Sequence, residues 1–140
     1  MLAQSFISAD ELGITDAEQR ALVTVLGMME RGEIADSEPG ASLWGRDVPS
    51  APVGFNMASF FAESDCGTIA CICGWAIAVG GLNKDLMLKR FEVPALDRLF
   101  DPSASCLPFG AMAQITTPQA ARALRNYLTT GEPNWPEAIA

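Results

Sequence analysis

From Cys66 to Asn83 the chain carries no charged residue, and from Cys71 to Gly81 it has no strongly polar side chain. A segment this apolar must be covered on every side or lie in a membrane. A membrane helix needs about 20 consecutive apolar residues. Here Gly67, Gly74, Gly80 and Gly81 interrupt the run. The spacing therefore predicts a buried helix over residues 68–79, ended by Gly80 and Gly81. Ala70, Gly74 and Ala78 recur every fourth residue, a narrow stripe on which another element can pack closely. A chain of 140 residues is long enough to wrap such a helix as one domain, 1–140, with a core of its own.

The flanking sequence supplies the wrapping. GITDAEQRALVTVLGMMERG reads as an amphipathic helix. Thr15 and Glu18 have the spacing of a capping box. Leu22, Val25, Leu26 and Met29 form a buried stripe, and Gly32 stands where the helix should stop. TTPQAARALRNYLTTGEP reads as a second helix, with Thr117 as cap, Pro118 at the first helical position and Gly131 at its end. Its buried side is Ala120, Leu124, Tyr127 and Leu128, and Arg122 and Arg125 face elsewhere. Short helices are expected over NKDLMLKRF and VPALDRLFDP, and Trp135 is placed to fold back as a plug. Residues 32–56 hold four glycines, three prolines and three serines and read as a long loop. Asn56 would cap a short helix over MASFFAES. SCLPFGAMAQIT reads as a loop. The one β pairing the pattern offers is a small two-stranded ribbon of AQSFI with AQI. The fold class is mainly α, a compact helical single domain around a buried central helix, with long loops.

Three of the four cysteines fall within eight residues: Cys66, Cys71 and Cys73, with Cys106 far downstream. They are the candidate metal ligands. Zinc sites pair their cysteines at gaps of two to four residues, and the second pair is missing. The plant-type iron–sulfur run is one residue longer than this one. On a continuous helix, Cys71 and Cys73 would point about 160° apart, and Cys66 and Cys73 would lie about 10 Å apart along the axis. The metal reading and the continuous-helix reading exclude each other. Cys66 is the candidate nucleophile, because a helix N-terminus lowers a thiol pKa, although Asp65 opposes this. CICGWA is similar to the C-W-A of papain-like proteases with a glycine inserted. Those enzymes need a histidine base, and this chain contains no histidine. No motif implies a cofactor.

Net charge is −8, and residues 1–65 carry the whole excess, with eleven acidic residues against three arginines. Such a surface repels phosphate backbones, so nucleic acid is not an expected partner, and neither is a membrane. The N-terminus lacks the basic region of a secretory signal. With four cysteines, this points to reduced thiols in a cytoplasm.

FNMASFF, CGTIACICGWA, RLFDP and TPQAARALRNYLTTGEPNW together resemble a group of small uncharacterised proteins from bacteria and their phages. The resemblance covers residues 55–135. It implies a shared fold in which Cys66, Gly67, Thr68, Cys71, Gly74 and Trp75 form one structural unit. Cys66 and Thr68 would cap the central helix while Cys71, Gly74 and Trp75 pack it. It implies no activity. The expected function is a non-enzymatic module that binds another protein through the acidic residues 1–65 and the loop 32–56. The alternatives are a thiol-dependent enzyme or redox protein centred on Cys66, and a cysteine-ligated metal protein.

Overall fold

A computed structural model describes residues 6–36, 41–42, 52, 54–57, 61–64, 67–83, 85–102 and 109–140, with backbone alone at 41–42, 61–64, 67–69 and 109–111. The fold is mainly helical. Helix α1 (Ala9–Leu12) leads into α2 (Asp16–Glu30). Both halves of the Thr15–Glu18 capping box form, and Leu22, Val25, Leu26 and Met29 are all buried. Glu18 serves twice. Its Oε1 accepts the Thr15 amide at 2.8 Å and lies 2.6 Å from Lys89 Nζ. A carboxylate this deep in the protein would be costly without such partners.

The central run departs from the expected helix over 68–79. Gly67–Ala70 is strand β4, and the helix α3 covers Ile72–Gly80. Strand β3 (Phe61–Ser64) pairs antiparallel with β4, Phe61 opposite Ala70 and Ser64 opposite Gly67. The β-branched Thr68 and Ile69 suit that pairing, and the backbone of β4 finds its hydrogen bonds across the sheet instead of along a helix. Two further strands complete the sheet. Strand β1 (Ala41–Ser42) lies antiparallel to β3, and β2 (Gly54–Phe55) lies parallel to β4, giving the order β1-β3-β4-β2. The ribbon of AQSFI with AQI is not seen among the described residues, residues 3–5 of it lying outside them. Residues 6 and 7 are outside any strand, and Ala113 and Gln114 end a 3-10 helix, Phe109–Gln114. The helix expected over MASFFAES is displaced by β3 at its C-terminal part. The segment 32–56, expected as a loop, contains β1 and β2, and its two ends are joined to each other. Phe55 N donates to Ala35 O at 2.8 Å, and Asp36 and Phe55 form a parallel bridge.

Helices α4 (Asp85–Lys89) and α5 (Pro94–Phe100) follow as the pattern implies. The last long helix, α6 (Thr117–Thr130), is capped by Thr116, one residue earlier than Thr117, in a capping box with Gln119. Asp36 Oδ1 adds a second cap from a distant part of the chain, accepting from both the amide and the hydroxyl of Thr117 at 2.6 Å. Ala120, Leu124, Tyr127 and Leu128 are buried. Gly131 ends the helix at φ 90°, a conformation that costs a side-chain-bearing residue more than glycine. Trp135 opens α7 (Trp135–Ala138), is fully buried, and donates its indole N–H to Arg98 O at 2.8 Å. Among the described residues no helix is long and apolar enough to cross a membrane.

The core forms where α2 packs on α3 on one side and on α6 on the other. Helices α2 and α3 meet tightly at Gly80, where an added Cβ would come within 2.7 Å of Ala21 Cβ. The small-residue stripe expected at Ala70, Gly74 and Ala78 is split between strand and helix, so Gly80 against Ala21 takes its place. In an open helix, Gly→Ala gains about 1 kcal/mol. Here overlap outweighs propensity, and Gly80→Ala is expected to destabilise the protein by about 1–3 kcal/mol in urea denaturation. Ala21→Gly in the same chain should recover part of the loss, whereas a stabilised Gly80→Ala protein would show that the contact is slack.

Candidate functional site

The structure distributes the sequence's candidate residues differently from the expectation. Cys71 is the N-cap of α3 with an extended backbone, and it makes no side-chain cap. Thr68 lies in β4 and does not cap the helix. Because α3 begins at Ile72, position 66 is not at its N-terminus, so the dipole argument for a reactive Cys66 loses its basis. Cys66 and Cys106 lie outside the described residues. Cys71 and Cys73 are buried free thiols. The calculated 160° splay assumed both on one helix, and with Cys71 at the strand–helix junction that assumption does not hold. Among the described residues no three cysteine, aspartate or glutamate side chains come together as a metal cluster. Gly74 and Trp75 are buried as packing residues, and Trp75 donates its indole N–H to Gly54 O at 2.9 Å, joining α3 to β2.

Burial makes these thiols poor nucleophiles. Loss of solvation raises the Cys71 thiol above its ordinary pKa, and burial together with the nearby Cys71 raises Cys73 well above it. Only the thiolate attacks. At neutral pH, Cys71 and Cys73 should stay unmodified by a disulfide reagent until denaturant is added, as read by mass-spectrometric mapping. A fast reaction at either would reopen thiol chemistry in this segment.

Tyr127 is fully buried, and its hydroxyl has no hydrogen-bond partner among the described residues. Burial first, then Glu18 and Glu132, push its pKa up. Groups whose folded pKa is raised contribute stability that is complete below their unfolded pKa and lost as pH rises towards the folded value. For Cys71, Cys73 and Tyr127 together, unfolding free energy should fall as pH passes about 8.5 and then about 10. Tyr127→Phe removes an unsatisfied hydroxyl. It should raise stability by about 1 kcal/mol and flatten the decline above about pH 10, measured by urea unfolding across pH. A loss of stability would mean that the hydroxyl has a partner after all.

The exposed surface is where the structure adds what the sequence reading missed. Leu88 in α4 and Phe91 just after it are 56% and 74% exposed, and they are the exposed large hydrophobic residues among those described. Leu86, two residues before Leu88, is fully buried. The signal was present in DLMLKRF, since three consecutive apolar residues on a short helix cannot all face one core. Arg90 stands beside Phe91, its guanidinium 5.0 Å from the ring centre. Its Nε lies 2.9 Å from Asp97 Oδ1, an ion pair whose angle does not make a hydrogen bond.

Two residues beyond Phe91 begins a groove of about 460 Å³. Its uncharged lining comes from Ile7 and Leu12, from Val93, Pro94 and Ala95 at the start of α5, and from Thr130 and Gly131 at the end of α6. Glu11 and Arg98 are the charged residues in its lining. Ile7 is fixed at both backbone groups: its amide donates to Leu128 O at 2.8 Å, and its carbonyl accepts from the Gln19 side chain. Arg98 is held by both carboxylate oxygens of Glu132. Arg125 on α6 is bound in the same two-pronged way by Glu30.

No protein-family model, curated protein or solved structure matches this chain.

Proposed function

We propose that this protein works as a non-enzymatic module that holds another protein. The observation that carries the reading is the exposed pair Leu88 and Phe91 on a chain whose other described large apolar residues are at least partly covered. Interfaces favour aromatic residues and arginine at their centres, and Phe91 has Arg90 against its ring. The absence of histidine from the sequence weighs against a Cys–His mechanism at Cys66, the centre of the thiol-enzyme alternative, and Cys71 and Cys73 are buried and leave Cys66 without a described thiol partner at the surface. Two free thiols in the core suit a reducing compartment, which supports a cytoplasmic location. The reading extends to a fold shared with the small bacterial and phage proteins that residues 55–135 resemble.

The acidic first half enters this reading in a reduced form. Glu18 and Glu30 pair with Lys89 and Arg125 of the second half, and Asp36 caps α6. Those carboxylates are spent on the fold. Asp10, Glu11 and Asp16 are the exposed ones at the start of α1 and α2, and they are left for a partner. Most of the loop 32–56 between its anchored ends lies outside the described residues. Removing residues 1–50 would delete α2 and its buried stripe, so point substitutions are the sound test.

In affinity capture from an extract, the Leu88→Ser, Phe91→Ser double variant should retain a specific bound protein at least about tenfold less well than the wild type. Its unfolding midpoint should change little, as is usual for surface sites. Identical capture by both proteins, or no specific capture by either, would defeat the reading.

A further inference from the structure

The groove between α1 and α5 has a largely apolar lining and one unneutralised charge. The Glu11 carboxylate makes no hydrogen bond or ion pair among the described residues; only its backbone amide is used, donating to Ser8 Oγ. The other charge in the lining, Arg98, is neutralised by Glu132. Asp10, beside Glu11, is exposed as well, and α1 has no basic residue in its last turn. The field at the mouth is therefore negative, over walls of Ile7, Leu12, Val93 and Pro94. The volume, about 460 Å³, is ample for a bulky side chain, and pockets of about 300–1,000 Å³ are ordinary for ligands.

We propose that this groove receives a peptide segment that places a bulky apolar side chain between α1 and α5 and a lysine or arginine against Glu11. This rests on the interaction reading above and narrows it to one site and one partner chemistry. The apolar side chain supplies most of the affinity by leaving water. The basic residue supplies orientation and selection, because like charge at this mouth would repel. Phe91 is outside the lining, two residues before Val93 in the chain.

The test uses the full-length, nitrogen-15-labelled protein and three short peptides of equal length: alternating leucine and lysine, alternating leucine and glutamate, and alternating serine and lysine. The leucine–lysine peptide should bind and shift the amides of Ile7, Glu11, Leu12, Val93, Ala95 and Gly131. The other two should bind at least about fivefold more weakly. Glu11→Lys, at an exposed position, should weaken the leucine–lysine peptide by about fivefold. Added salt should have the same direction of effect. Ala95→Phe fills the groove and should weaken the peptide with Glu11 intact, so the proposal stays testable if one variant misfolds. Equal binding of the serine–lysine peptide would reduce the site to bare charge attraction and overturn the proposal. Equal binding of the leucine–glutamate peptide, or of none, would overturn it too. Shifts confined to Leu88 and Phe91 would sink the groove and leave the interaction reading standing. That reading falls separately if the Leu88→Ser, Phe91→Ser variant captures whatever the wild type captures.

Discussion

The contact between α2 and α3 is the constraint on which the rest of the structure depends. Helix α3 has no polar side chain to give to water, so it must be covered. Helix α2 covers it with a stripe in which Leu22 and Val25 have no exposure at all. Each such side chain contributes about 1.5–3 kcal/mol by leaving water. The approach is as close as Gly80 and Ala21 permit. Once the two helices are fixed, α6 can settle on the other side of α2, and the short helices α5 and α7 close over α6. Trp135 completes that layer, with its indole N–H satisfied by the backbone of α5.

Electrostatics reinforces the same assembly. The two halves of the sequence differ sharply in charge, and the contacts between them use that difference. Glu18 meets Lys89, Glu30 meets Arg125, and Asp36 meets the start of α6. Surface pairs of this kind contribute little each, about 0–1 kcal/mol. Glu18 is the exception in position, since it is almost fully buried and also closes the capping box of α2. The acidity of the first half is thus partly a device of folding. Among the described residues, Asp10 and Glu11 stand exposed on α1, next to the groove.

The legibility of the sequence follows the range of the interactions involved. Helices α2 and α6 could be read because caps and periodicity are local: Thr15 with Glu18, and a stripe recurring every three or four residues. The boundary inside the apolar run could not be read. Nothing between Gly67 and Gly80 marks where strand gives way to helix, since every residue there suits burial in either form. The deciding partner is Phe61–Ser64, and its pairing with β4 is visible only in three dimensions. The one-residue error at the cap of α6 has a different cause. Thr116 has Gln119 three residues on, the local spacing of a capping box, which Thr117 lacks, and only the hydrogen bonds from Thr117 to Asp36 come from far away in the chain.

The candidate site was less legible than the fold for a related reason. The cysteines drew attention as chemistry-bearing residues, yet the structure uses Cys71 and Cys73 as small apolar pieces of core. The groove is built from ordinary residues, Ile7, Leu12, Val93 and Pro94, none unusual in its own segment. They become a site only because Ile7 is pinned to α6 and α2, while Val93 introduces α5 alongside α1. A single unpaired carboxylate, Glu11, then gives that surface a sign. Recognition on such a surface follows from juxtaposition and charge, and neither has a sequence motif.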